Sequence, residues 1–227
     1  MNDMINALRR FSLRLILTVC LAAVPLLLNI DCIEALAEDS PPALRVDADY
    51  PGGNIIVERI EGATVHLRQD LRDTSTWWFY WNFRVRDAAG QTITFQFDGA
   101  SPIGERGPAV SRDGGQTWSW LGTQHVRGSS FQYAFAADPQ EVRFAFAVPY
   151  QLRDLNRFVA SHADAIQRGW LTTTTLCNTR KGRGVPLLRM PARSGEVRDR
   201  LLITARHHAC ESLASFVLEG MVDHWLT

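Results

Sequence analysis

Residues 199–227 read DRLLITARHHACESLASFVLEGMVDHWLT. Leu201-Leu202-Ile203-Thr204-Ala205 is a nearly all-apolar run of strand length, which predicts a strand buried on both faces. Beyond it, Leu213, Phe216, Val217, Met221 and Trp225 recur at helical spacing, and Ser212 stands where a cap belongs. A buried strand that ends in polar residues and turns into a helix is where open α/β sheets place their sites. The polar residues here are His207-His208-Ala209-Cys210-Glu211. From such a turn His208 and Glu211, three apart, can reach one cation. Zinc takes both donor types at about 2.0–2.2 Å, and catalytic zinc sites commonly combine two His with one Glu. An H-x-x-E quartet is also frequent by chance, and a solvated, His-rich loop is its plain alternative. The surrounding residues therefore carry the decision.

Those residues are Ala205-Arg206-x-His208-x-x-Glu211-Ser212-x-Ala214-Ser215, after an apolar run and before an apolar helix. The segment resembles the first metal-ligand segment of the zinc carboxypeptidases, most closely their cytosolic-carboxypeptidase-like branch. Upstream, Leu176-Cys177-Asn178-Thr179 and Gly184-Val185-Pro186-Leu187-Leu188 look like the opening of the same catalytic domain. The branch usually carries Pro-Gly between the ligands, where this chain has Ala209-Cys210, so the loop need not share the branch's geometry. The likeness extends upstream: the family has a β-sandwich bearing a G-N and a W-x-Y/F-x-F pattern, then the peptidase domain. Here these are Gly53-Asn54 and Trp78-Phe79-Tyr80-Trp81-Asn82-Phe83.

The resemblance implies that His208 and Glu211 hold Zn2+ together with a second, far-downstream histidine. In the family a still later glutamate takes the proton from the zinc-activated water, and later Arg and Asn residues grip the substrate's terminal carboxylate. The sequence ends at Thr227, within the first helix after the metal loop. The expectation is thus the N-terminal part of a metallocarboxypeptidase acting on peptide or protein C-termini. Its metal residues are His208 and Glu211; it lacks the third ligand and the catalytic glutamate, and is inactive by itself. Arg206 and His207 are neighbours without an assigned role.

The expected architecture has two domains, an all-β sandwich followed by the start of an α/β zinc-carboxypeptidase domain. Residues 1–37 read as a signal peptide: Arg9, Arg10 and Arg14 precede an apolar run from Leu15 to Ile30, then Ala35-Leu36-Ala37. That run is short for a bilayer-spanning helix, so the expectation is export, to periplasm or medium, with no stable membrane span after cleavage. Residues 38–150 form the sandwich, 151–172 a connecting helix and linker, and 173–227 the beginning of the catalytic domain.

The sandwich expectation rests on alternation. Trp77 to Val85 and Ile93 to Phe97 read as two strands joined by an Ala89-Gly90 turn. Phe131 to Phe135 and Val142 to Phe146 repeat the pattern around Asp138-Pro139. Many short strands with Gly, Pro and Asp turns indicate a sandwich, and the aromatic residues are most simply its core. Trp77, Trp78 and Trp81 cannot all face inward on one strand, which leaves a carbohydrate-stacking surface as a functional alternative. Ser111-Arg112-Asp113-Gly114-Gly115-Gln116-Thr117-Trp118 fits the Asp box of sialidase blades, but no repeat accompanies it. Asp113 is therefore expected to organise a hairpin.

Composition excludes little and supports this reading. The chain is 46% hydrophobic and 21% charged, with a formal net charge of zero. Only one lysine, Lys181, occurs, and no basic tract suggests a nucleic-acid partner. Cys20 and Cys32 fall in the signal; Cys177 and Cys210 are expected as free, largely buried thiols. His162, on a helical run from Asp154 to Ile166, is expected as a core or cap residue, and His66, His125 and His224 as structural. Two other function classes remain: a secreted β-sandwich binding carbohydrate or peptide beside a peptidase remnant, and a purely structural or interaction domain.

Overall fold

Alternating aromatic strands dictate the first half of the chain. The computed structural model describes residues 43–227 except 73, 75–77, 139–140 and 194. The expected signal peptide and Trp77 lie outside the described residues. One five-stranded sheet runs in the order β1 (Arg45–Asp47), β4 (Asn82–Arg86), β10 (Val142–Ala145), β6 (Ala109–Ser111) and β7 (Ser119–Trp120). The other runs β2 (Ile56–Glu61), β3 (Thr64–Arg68), β5 (Thr92–Phe97), β9 (Ser130–Ala134) and β8 (Val126–Arg127). Every pairing is antiparallel except β3 with β5.

The two strand pairs read from the sequence are not hairpins. β4 and β5 lie in opposite sheets, and so do β9 and β10. Each connection carries the chain across the core, so that alternate residues of both partners face it from either side. Phe83 and Val85 meet Ile93, Phe95 and Phe97, with Phe131 and Phe144 closing the same cluster. Phe83 lies 5.2 Å from Phe95 and 5.5 Å from Phe144 between ring centroids, and Trp81 lies 5.0 Å from Phe97. Tilted rings at these spacings suit the aromatic quadrupole and add to area burial. Trp81 is thus fully buried, its indole N–H satisfied by the Pro102 carbonyl at 2.8 Å. The strand expected from Trp77 begins only at Asn82.

The Gly-Asn pattern has a steric and a polar cause. A Cβ on Gly53 would sit 2.0 Å from the Ala48 carbonyl oxygen, so no other residue fits without moving backbone. Asn54 is buried; its amide donates to the Asp70 carbonyl at 2.8 Å and accepts from the Asp70 N–H at 3.1 Å. Its backbone also pairs with Asn82, stitching the turn to the start of β4.

The Asp box joins β6 to β7. Asp113 accepts hydrogen bonds from the Thr117 hydroxyl and N–H, the Ser111 hydroxyl and the Gln116 N–H. The Thr117 side chain first, then the other donors, hold its carboxyl far below the usual carboxylate range. Asp113 is committed to the turn, and Arg153, at the start of the helix that follows β10, donates to the Gly115 carbonyl at 2.8 Å.

Beyond the sandwich, Gln151 and Asp154 form a capping box at the head of α1 (Leu152–Ser161). The expected single run is broken at His162, which ends α1 and opens α2 (Ala163–Gln167). The His162 ring packs on Phe158 at 4.6 Å, with Nε2 3.5 Å from Asp223. β11 (Thr172–Asn178) and β12 (Gly184–Arg189) then form a two-stranded antiparallel hairpin, and α3 (Ser212–Leu226) closes the chain.

Here the structure corrects several expectations. Residues 201–205 form no strand, and Leu201 and Leu202 are 78% and 70% exposed. A strand buried on both faces needs lateral partners for its N–H and C=O groups and cover above and below. Among the described residues none takes either place. The helix is where it was expected, yet Leu213, Phe216, Val217 and Trp225 are exposed while Val222 is buried. Ser212 is not the cap: Glu211 holds that position, and the buried Ser212 hydroxyl donates to the Val148 carbonyl at 2.7 Å. Cys177 and Cys210 are free, but Cys177 is exposed and Cys210 only partly buried.

Candidate metal centre

The H-x-x-E loop is shaped by a backbone reversal at Arg206, whose φ is 61°. Left-handed backbone is uncommon for a residue bearing a Cβ. The chain then turns tightly: the Glu211 N–H bonds the His208 carbonyl at 3.1 Å, and the Ala214 N–H bonds the Glu211 carbonyl at 3.2 Å. That turn leads directly into α3 and brings the two expected ligands together. His208 Nδ1 lies 2.7 Å from Glu211 Oε1, while the His208 N–H donates to Glu211 Oε2 at 3.1 Å. Both side chains face solvent, 74% and 44% exposed. The hydrogen bond from the His208 ring, then that from its N–H, holds the Glu211 carboxyl below its ordinary range.

The donor set suits zinc, which binds imidazole nitrogen and carboxylate oxygen. Two ligands on one tetrahedral zinc stand roughly 3.3 Å apart at the usual bond lengths, so the pair must open slightly from its hydrogen bond to admit the ion. The neighbours offer less. His207 Nε2 is 3.0 Å from the Thr204 hydroxyl, and burial pushes the Cys210 thiol up. Among the described residues no group of three or more His, Cys, Asp or Glu side chains gathers for a metal. His66 bridges to Asp98 on the surface of the second sheet.

The sequence reading missed what the loop rests on. The short stretch from Val148 to Tyr150, just after β10, receives three contacts from the C-terminal segment. Arg206 Nη1 donates to the Tyr150 carbonyl, Ser212 donates to the Val148 carbonyl, and the Tyr150 hydroxyl meets Glu219 at 2.7 Å. The Tyr150 ring also stands perpendicular to Phe216 at 5.1 Å. Burial, then the Glu219 contact, raises the Tyr150 hydroxyl's pKa. One signal was present: Phe216 and Glu219 are three apart on a helix, hence on one face.

Comparison with known proteins follows the same outline. Residues 46–147 match the cytosolic carboxypeptidase N-terminal domain. An uncharacterised protein of Zymomonas mobilis is 27% identical over 188 residues, covering 79% of this chain and 47% of that protein. The crystal structure of a metallo-carboxypeptidase from Burkholderia cenocepacia superposes with a TM-score of 0.66 at 21% identity, over 80% of this chain and 48% of that one. A metallo-carboxypeptidase from Pseudomonas aeruginosa, solved with (2-guanidinoethylmercapto)succinic acid, gives 0.60 at 23% identity, over 79% and 48%. The chain therefore spans about half the length of the proteins it matches. Residues 46–147 thus match the cytosolic carboxypeptidase N-terminal domain, and the chain is similar in fold to about half of a metallo-carboxypeptidase.

Proposed function

We propose that this chain supplies the N-terminal part of a zinc-dependent metallocarboxypeptidase that removes C-terminal residues from peptides or proteins. The observation that supports it most is the His208–Glu211 pair, in contact at the head of α3 in a chain whose fold follows metallo-carboxypeptidases. His208 would contribute an imidazole nitrogen and Glu211 a carboxylate, the two being presented from one turn. Bound zinc would polarise the scissile carbonyl and activate water for attack. Catalytic zinc sites use three protein ligands and an open position, and the described residues bring only two into contact. These 227 residues alone should therefore hold zinc weakly and catalyse no hydrolysis. Export rests on the arginines, apolar run and small residues of positions 1–37; among the described residues no helix is long and apolar enough to cross a membrane.

Calorimetric zinc titration of the 227-residue chain tests the ligand assignment. The expected outcome is weak binding, lost in His208→Ala and Glu211→Gln while the melting temperature of the sandwich stays unchanged. Hydrolysis of free and C-terminally blocked peptides is the companion measurement. Tight stoichiometric zinc, with chelator-sensitive release of free C-terminal amino acids, would show that the chain completes the site alone and sink the partial-site reading. The binding-module alternative gains little, because Trp81 is spent in the core.

A further inference from the structure

We infer that Arg206 is a positioning residue, fixing the His208–Glu211 loop against the exit segment of the sandwich. This rests on the reading of His208 and Glu211 as the zinc pair. The geometry has two parts. First, Arg206 adopts φ 61° at the point where the chain reverses into the loop, a conformation that persists only where surrounding contacts over-determine it. Second, those contacts are visible. Nη1 donates to the Tyr150 carbonyl, while Nε and Nη2 approach the Ala209 carbonyl at 3.4 and 3.3 Å. One planar guanidinium thus joins the backbone beside His208 to the backbone leaving the sandwich.

The chemistry requires arginine. A guanidinium presents several donors in a rigid fork, whereas an ammonium is a compact point charge on a flexible stem. Lysine could reach one of the two carbonyls but not hold both in a fixed relation. Of the other ties to the same exit segment, Ser212 to Val148 holds the junction of the loop with α3, and Glu219 to Tyr150 acts two turns further along the helix. Arg206 ties the N-terminal side of the loop, two residues before His208, to the sandwich exit, as Ser212 ties its C-terminal side directly after Glu211. The Arg206 guanidinium bonds go to backbone carbonyls and to neither ligand side chain, so its effect on the metal passes through the loop backbone.

The experiment uses the full chain and two readouts, zinc affinity and native-state amide exchange at His208, Glu211 and Ala214. Arg206→Gly removes the guanidinium while suiting positive φ, so it separates the grip from backbone strain. The expected result is faster exchange at those three amides, unchanged exchange in the sandwich, and zinc affinity reduced about 10–100-fold, as for loss of other supporting groups around metals. Arg206→Lys should show the same loss, because charge alone does not replace the fork. Millimolar methylguanidinium should restore both readouts in Arg206→Gly and neither in Arg206→Lys. Wild-type exchange in Arg206→Gly, or wild-type behaviour in Arg206→Lys, overturns the inference. Loss of protection throughout the sandwich also overturns it, since the role is then general stability. If the wild-type chain binds no zinc, the zinc reading fails, and the exchange pattern with its methylguanidinium rescue decides on Arg206 alone.

Discussion

Large apolar side chains are treated in opposite ways in two parts of this molecule. Between the sheets, Trp81, Phe83, Phe95, Phe97, Phe131 and Phe144 are sealed from water. In residues 172–227, Leu176, Leu201, Leu202, Leu213, Val217 and Trp225 meet it. Both regions are rich in such residues, so hydrophobicity alone does not separate them. The sandwich supplies both halves of its own interface: each inward-facing strand has a complementary one within the same hundred or so residues. The hairpin and α3 have apolar faces, but the described residues build no second layer against them. Polar contacts tie α3 down beside the Phe216–Tyr150 ring contact and the buried Val222: Ser212 to Val148, Tyr150 to Glu219, and Arg193 to the Trp225 and Leu226 carbonyls at its end.

The contrast can be broken at its strongest point. Phe83→Ala removes a fully buried ring packed against four others, Trp81, Phe95, Phe131 and Phe144. Urea unfolding should show a loss of about 3–5 kcal/mol, the usual range for emptying such a site. A loss near zero would mean that the sandwich is not the stable body of the chain.

A smaller effect is expected at the Asp box. Asp113→Asn should lower the melting temperature at neutral pH, since the amide cannot accept four donors as an ionised carboxylate does. The pH dependence follows from sign. A carboxyl depressed in the folded state contributes stability above the unfolded pKa of about 3.9, and that contribution fades as pH falls below it. The gap between wild type and Asp113→Asn should therefore narrow progressively below about pH 4 in thermal melts. A gap that is constant from neutral to acid pH would remove the charge from the explanation.

The thiols sharpen the comparison further. Cys177 is exposed, while Cys210 is partly buried with its thiol pKa raised by that burial. A thiolate-seeking disulfide reagent should modify Cys177 several-fold faster in the native chain, and equally fast rates would contradict the burial of Cys210. The smallest effect belongs to the exposed run. Leu202→Ser should change unfolding free energy by less than about 0.5 kcal/mol, as surface substitutions usually do, while improving solubility. A loss comparable to Phe83→Ala would mean that Leu202 is covered in solution.

Much of the sandwich is legible in short-range pattern. Period-two alternation at Phe83 and Val85, at Ile93, Phe95 and Phe97, and at Phe131 and Tyr133 marks the inward face correctly, because side chains alternate on any strand whatever its partners. The loop at His208–Glu211 is equally local, because residues three apart across a tight turn must come together, whereas the break at His162 inside the expected helical run was not read. Pairing was not legible. Nothing within Trp78 to Phe97 tells whether the Asp87–Gln91 turn folds a hairpin or crosses between sheets; that depends on β1, β10, β3 and β9, which compete for the same edges.

The residues themselves determined which faces are apolar and that His208 and Glu211 stand three apart at the head of a helix, while the Ala48 and Asp70 contacts that explain Gly53 and Asn54 came from the structure. Only tertiary structure decided what those faces meet. Leu201-Leu202-Ile203 satisfies every local requirement of a buried strand, yet burial is a relation between segments, and here no described segment lies beside it. The same holds for Arg206 and Tyr150: fifty-six residues separate them in sequence, and a hydrogen bond to a distant carbonyl leaves no periodicity or spacing to read.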